Sequence, residues 1–182
     1  MSTLVDHQIR HLARMSGLIE PYESEQQNPA SYDVTLGSCL LVEKPRYYSS
    51  DFRFEGAVGL RGDRWIEFDI SKTTYELLPG QFVLACTEEL IRVPTYLEAI
   101  LYLKSSRARE GWEHALAGYI DPGFSGRVTL ELRNNNQFNS LQMKAGMKMA
   151  QLRFCHLDDV PLRPYSVTGR YNNDDTTTPS KG

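Results

Sequence analysis

From Ser31 onward the chain keeps changing direction: SYDVTLGSCLLVE and the segments after it are short runs rich in Val, Leu, Tyr, Phe and Thr, each closed by a turn signal. The turns are Arg61-Gly62-Asp63, Pro79-Gly80, Pro122-Gly123 and Ala145-Gly146. Proline presets one turn torsion and glycine accepts the torsions other residues resist, so such pairs stop a strand and return it. Many short strands with frequent turns predict a mainly β sandwich or barrel. The exception is the N-terminus, where Asp6 is the expected N-cap, Ile9, Leu12 and Ala13 share one face, and Gly17 is the stop of a short helix. EELIRVPTYLEAILYLKSS is expected to hold a short turn or helical piece around Thr95 to Leu97 before a strand reaching Lys104.

At 182 residues the chain suits one domain. A net charge of -3 gives no support to coating nucleic acid or a membrane surface. No run of about 18 apolar residues occurs, and MSTLVDHQIRHLARMSG has no apolar h-region, so a cytoplasmic protein is the expectation. Cys39, Cys86 and Cys155 are odd in number and never form C-x-x-C, which points to reduced thiols rather than a disulfide frame or a zinc site. His7 and His11 have a metal-ligand spacing, but no H-E-x-x-H pattern accompanies them, and they read as ordinary helix residues.

Two-residue periodicity sorts RVTLEL: Val128, Leu130 and Leu132 face one side, Arg127, Thr129, Glu131 and Arg133 the other. The first set belongs in a core. The second either faces water or meets polar groups from elsewhere. One such group is LKSSRAREG, where Lys104, Ser105, Ser106, Arg107 and Arg109 supply the cations and hydroxyls that a polyphosphate needs. It is not a Walker A loop, and taken alone it reads better as a solvated basic loop. The tail from Tyr171, YNNDDTTTPSKG, has no apolar anchor and is expected to be mobile unless something holds it.

Taken together, SYDVTLG, PGQFVLACTEELIRVP, KSSRAR, HALAGYIDPGFSGRVTLEL, GMKMAQLRF and RPY resemble, in order over nearly the whole chain, the dCTP deaminase family of the dUTPase-like superfamily. The resemblance implies a distorted β-barrel or jelly-roll domain over residues 1–170, a flexible lid over 171–182, and a homotrimer with nucleotide sites at subunit interfaces. It also implies zinc-independent hydrolysis of dCTP to dUTP and ammonia. That agrees with the absence of the H-x-E and P-C-x-x-C signature of zinc deaminases. Magnesium would arrive on the triphosphate, and dUTP or dTTP are further candidate ligands.

By the same resemblance Glu131 is the catalytic glutamate, taking a proton from water that attacks C4 of cytosine, in a pocket that raises its pKa. Ser105 and Arg109 orient it and polarise the reacting region. Lys104, Ser106, Arg107 and Ala108 fall in the block that cradles the triphosphate, and Gln151 could touch phosphate. The segment from His114 to Ala117 presents backbone to the base, Asp121 accepts a hydrogen bond from the 3′-hydroxyl, and Thr129 and Leu130 flank the catalytic residue. Tyr165 and Arg170 match residues that close over the nucleotide.

Four departures from the family pattern touch this site. The stretch between Arg109 and Asp121 is one residue short, near Trp112. Leu116 stands where a threonine is usual, Arg170 where lysine is usual, and Asp174 at about the place of a glutamine. Three activities therefore stay open: dCTP deamination, including a shifted preference for dCMP; a bifunctional deaminase and dUTP diphosphatase, or a plain dUTPase; and a regulatory nucleotide-binding protein without turnover.

Overall fold

The computed structural model describes residues 2–45 and 57–182. Helix α1 (Asp6–Ser16) opens it, with one difference from the sequence expectation: Val5 is the N-cap and Asp6 the first helical residue. The cap is supplied from within the helix, Gln8 Oε1 accepting from the Val5 N–H at 3.0 Å. Asp6 still lays its charge at the positive end of the helix dipole. Gly17 ends the helix as expected, in the left-handed conformation. Ile9 and Ala13 are buried and Leu12 packs against the core.

The strands follow in chain order: β1 (Ile19–Glu20), β2 (Gln27–Asn28), β3 (Ser31–Thr35), β4 (Cys39–Glu43), β5 (Ala57–Arg61), β6 (Trp65–Asp69) and β7 (Tyr75–Leu77). Then come β8 (Phe82–Arg92), β9 (Leu97–Leu103), β10 (Trp112–His114), β11 (Tyr119–Ile120), β12 (Ser125–Asn134), β13 (Leu141–Met143) and β14 (Lys148–His156). Among the described residues they form one sheet in the order β10-β12-β8-β4-β6-β5, with β1 also on β8, a second in the order β11-β9-β14-β3-β2, and a β13–β7 ribbon. Apolar faces of both sheets share one core, in which Tyr32, Leu40, Leu130, Leu152 and Phe154 are fully buried. This is the mainly β architecture with a short N-terminal helix that the sequence predicted. No helix among the described residues is long and apolar enough to cross a membrane.

The longest pairing, β8 with β12, carries the site. Val128, Leu130 and Leu132 are buried, while Arg127, Thr129, Glu131 and Arg133 keep partial or full exposure. Burying each Val or Leu side chain is worth about 1.5–3 kcal/mol, so a one-residue slip would cost several kcal/mol and also drive Glu131 and Arg133 into the core. The alternation fixes the register. A shift between Arg127 and Thr129 leaves the Val128 N–H off the ladder, and it donates to Thr87 Oγ1 at 3.0 Å. Buried Thr87 passes its own proton to Glu89 O at 2.7 Å.

LKSSRAREG, readable from sequence as a basic loop, forms a short helix, α2 (Ser105–Glu110), with Gly111 as its left-handed cap. A last short helix, α3 (Tyr165–Thr168), follows β14. Beyond it the polar tail lies along the exposed face of the β12 sheet. Its anchors are hydrogen bonds in place of apolar contacts: Ser125 N–H to Asn172 Oδ1 (2.8 Å), Arg127 N–H to Asp174 O (2.8 Å), Thr177 Oγ1 to Cys39 O (2.7 Å) and Arg61 Nη1 to Thr177 O (3.1 Å). Gly126 permits this approach, since a Cβ there would stand 2.9 Å from Asp174 O.

Candidate active site

Glu131 lines a cavity of about 490 Å³ on the exposed face of β12. Its walls also include Tyr119, Asp121 and Phe124 of the segment before β12, Arg64, Trp65, Phe82 and Leu84 of the neighbouring strands, and Tyr165 with residues of the tail. A space of this size suits a small polar metabolite such as a nucleotide.

The segment that leads into the cavity is held close by backbone. Leu101 N–H donates to Gly118 O at 2.7 Å, and a Cβ on Gly118 would stand 2.3 Å from Leu101 O, so only glycine lets the two strands approach. Two residues earlier Leu116 has φ +59° and is almost wholly exposed, its N–H folded back onto His114 O at 2.8 Å. A leucine pays strain in that conformation. The turn it makes lies just after β10, whose last residue is His114.

His114 and Glu131 define the chemistry. Nε2 of the imidazole lies 3.5 Å from Glu131 Oε2, an ion-pair distance without a hydrogen bond, and both atoms are buried with no partner. The His114 side chain is 5% exposed and that of Glu131 27%. Burial pushes the glutamate carboxyl above its usual range and the imidazole below its own. Both shifts have one cause, the cost of charge where water is excluded, and both favour the neutral forms. Glu131, which lines the cavity, is thus placed to exchange a proton with a ligand there, with the His114 imidazole beside it but outside the cavity lining. Tyr119 at the rim donates to Glu98 Oε2 at 2.9 Å, its hydroxyl pushed up to about 12 first by burial and then by that carboxylate.

The structure gathers Glu131, Thr129, Ala117, Asp121 and Tyr165 of the sequence candidates around this cavity. Leu130 is fully buried with its side chain in the core, so only its backbone can face a ligand. Ser105, Ser106, Arg107, Ala108 and Arg109 lie on α2 and, with Lys104 and Gln151, do not line the cavity of their own chain. Lys104 is paired with Asp33 at 2.6 Å, Arg107 with Glu110 at 2.7 Å, and Gln151 accepts from Ser31 Oγ at 3.1 Å. The side chains of Ser105, Ser106 and Arg109 are exposed and make no hydrogen bond or ion pair among the described residues. Arg170 is exposed too, its carbonyl taken by Lys181 Nζ at 2.8 Å. Asp174, which from sequence added uncompensated negative charge, is clamped by Lys181 at 2.9 and 3.0 Å.

Sequence reasoning singled out the segment of His114 but not its side chain. The signal available was its place at the end of a strand adjoining the glutamate strand. Trp65 and Phe82 were missed altogether, because they meet only through the pairing of β6, β4 and β8. Among the described residues no group of three or more His, Cys, Asp or Glu side chains is arranged to hold a metal ion.

A mainly β domain with a half-buried carboxylate lining a nucleotide-sized cavity, and an imidazole beside that carboxylate, has the makings of an enzyme that works by proton transfer. Comparison with known proteins gives the family: a dCTP deaminase-like family model matches residues 3–157, and the chain belongs to that family of enzymes. The chain is 35% identical over 179 residues, 98% of its length and 93% of the relative's, to "dCTP deaminase, dUMP-forming" of Aquifex aeolicus. It is 32% identical over 192 residues to the protein of the same name from Nanoarchaeum equitans, covering 98% and 96% of the two chains. The crystal structure of 2′-deoxycytidine 5′-triphosphate deaminase from Agrobacterium tumefaciens has the same fold, with a TM-score of 0.66 over 84% of this chain at 23% identity. This chain spans 47% of that longer protein.

Proposed function

We propose that the chain deaminates dCTP by hydrolysis, using Glu131 as the proton-transfer group. The observation that carries this reading is Glu131, which lines the cavity with its Oε2 buried and unpaired 3.5 Å from His114 Nε2. Water placed between Glu131 and C4 of the cytosine gives its proton to the carboxylate and adds to C4. Glu131 then returns protons to the ring nitrogen and the leaving amine, ammonia departs, and the uracil nucleotide remains. Neutral His114, beside the carboxylate and unable to neutralise it by a fixed ion pair, keeps Glu131 available in both protonation states. Asp121 accepts from the 3′-hydroxyl, and Tyr165 with the tail covers the nucleotide.

The second half of the site comes from a neighbouring subunit of a homotrimer. In support, Ser105, Ser106 and Arg109 are exposed and have no hydrogen-bond or ion-pair partner among the described residues, a condition that suits groups acting on something outside their own chain. Arg109 and the α2 hydroxyls of one subunit then meet Glu131 of the next, and bind the triphosphate with Lys104, Arg107 and Gln151 nearby. Magnesium enters as the nucleotide complex, water is activated without zinc, and the enzyme serves cytoplasmic dUMP and dTTP supply.

A second reading has its own support: both curated relatives carry the name dUMP-forming. In it the dUTP made at Glu131 loses pyrophosphate before release. One assay separates the two. With Mg²⁺ and dCTP, equal yields of ammonia and dUTP support simple deamination, whereas ammonia with dUMP and pyrophosphate supports the bifunctional enzyme. Turnover of dCMP, or nucleotide binding without any product, overturns the dCTP reading.

A further inference from the structure

We propose that the site also accepts cytosine nucleotides bearing a small alkyl group on the exocyclic amine, and releases the alkylamine in place of ammonia. The inference rests on the deaminase reading above and concerns the far end of the same cavity.

Strand register sets the order of groups along the cavity. Glu131 pairs with Leu84, and Leu84 with Leu41. Two residue pairs further on, Arg133 stands opposite Phe82, and Trp65 stands opposite Glu43 beyond it. In the other direction lies Asp121, tied to the start of β12 through the Phe124 N–H on its carbonyl at 3.1 Å. Asp121, Glu131 and the Phe82–Trp65 pair therefore follow one another along the strand, the last step being about 7 Å.

Cytosine has its sugar nitrogen and its amine-bearing carbon opposite each other across the ring. With the sugar at Asp121 and C4 at Glu131, the amine points onward to Phe82 and Trp65. Among the described residues the surfaces at that end are the apolar faces of Leu84, Trp65 and Phe82, flanked by Arg64. Leu84 and Trp65 are buried, the Trp65 and Phe82 rings pack with centroids 6.4 Å apart, and Arg64 covers the outer face of Trp65 with Cζ 5.1 Å from the ring. The side chains of Arg64, Trp65, Phe82 and Leu84 contain no hydrogen-bond acceptor for an amine N–H. A site with such an acceptor rejects the alkylated amine strongly, because the acceptor is left unpaired; an apolar wall does not. The balance of the reaction is unchanged. Water oxygen bonds to C4, the C4–N bond breaks, and the nitrogen leaves with its alkyl group and a proton, so N4-methyl-dCTP plus water gives dUTP plus methylamine.

The test compares dCTP with N4-methyl-dCTP on the full-length enzyme, measuring ammonia and methylamine. The expected result is a kcat/KM for the methylated substrate within about tenfold of that for dCTP, the scale of one methyl group in an apolar pocket. If dCTP is turned over and N4-methyl-dCTP is slower by more than about 200-fold, the inference fails while the deaminase reading stands. If dCTP itself is inert, the deaminase reading fails. Phe82→Trp, which fills the far end, should lower the ratio of methylamine to ammonia production by at least about tenfold. An unchanged ratio in that variant contradicts the assigned direction of the amine, and should the variant not fold, the wild-type comparison decides alone.

Discussion

Glu131 Oε2 and His114 Nε2 face each other across 3.5 Å, each buried and neither hydrogen-bonded. A folded protein keeps such a pair at a cost in stability, and the cost depends on pH. Burial raises the Glu131 pKa above its ordinary 4.5, so the folded state favours the protonated acid. Stability from this group is full below the ordinary value and is lost as pH rises through the raised one. Glutamine has no such loss. Glu131→Gln should therefore melt with the wild type at about pH 4 and above it at about pH 8, as followed by thermal unfolding. Equal melting at both pH values would show that the carboxylate carries no burial penalty.

Replacing His114 tests the other member of the pair. Phenylalanine keeps the buried volume and removes the ring nitrogens. Since His114 reaches the glutamate, His114→Phe should lower kcat by about 10- to 100-fold and leave KM for dCTP within about twofold. Steady-state kinetics read both. A rise in KM with kcat unchanged would assign His114 to nucleotide binding instead.

The tail has two roles that one truncation separates. Tyr171, Asp174, Thr178 and Ser180 line the cavity, while Thr177 is fully buried against Cys39 and next to Cys86, whose thiol burial pushes up. Deleting 171–182 should raise KM for the triphosphate by about tenfold and leave the core folded, because buried Thr177 is polar and no residue of the hydrophobic core is removed. It should also speed reaction of Cys39 and Cys86 with a thiol reagent. An unchanged KM contradicts the lid, and unchanged thiol reactivity contradicts the docking of Thr177.

A site shared between subunits predicts complementation. Arg109→Ala and Glu131→Gln should each be inactive alone. Co-expressed in equal amounts, they form trimers in which about a quarter of the sites combine an intact Arg109 with an intact Glu131 from different chains, and activity should return to about that fraction. No recovery in verified mixed trimers would place both residues in one chain's site.

What the sequence made legible were the features that depend on neighbours in the chain. The alternation of Val128, Leu130 and Leu132 fixed the burial of β12, Gly17 marked the end of α1, and the Pro-Gly pairs marked the turns. Membership of the dCTP deaminase-like family and the attention to Glu131 followed from blocks of residues in order. Long-range pairing was not legible. Lys104, read as a phosphate ligand, finds Asp33, 71 positions away, and its charge is already compensated. Trp65 and Phe82 have no common local signal. The tail was read as unanchored because anchors were sought among apolar side chains, whereas its backbone pairs with β12 through Asp174 and its threonine hydroxyl reaches Cys39. The α2 residues formed a helix because Ser, Arg, Ala and Glu are compatible with one and Gly111 caps it, although their composition read better as loop.

The central claim is that Glu131 moves the protons of the reaction. Glu131→Gln preserves shape and removes the proton acceptor. Ammonia release from dCTP, measured beside calorimetric binding of the same nucleotide, should fall by at least about 1000-fold while Kd stays within about threefold of wild type. Ammonia release at the wild-type rate in that variant would contradict the account.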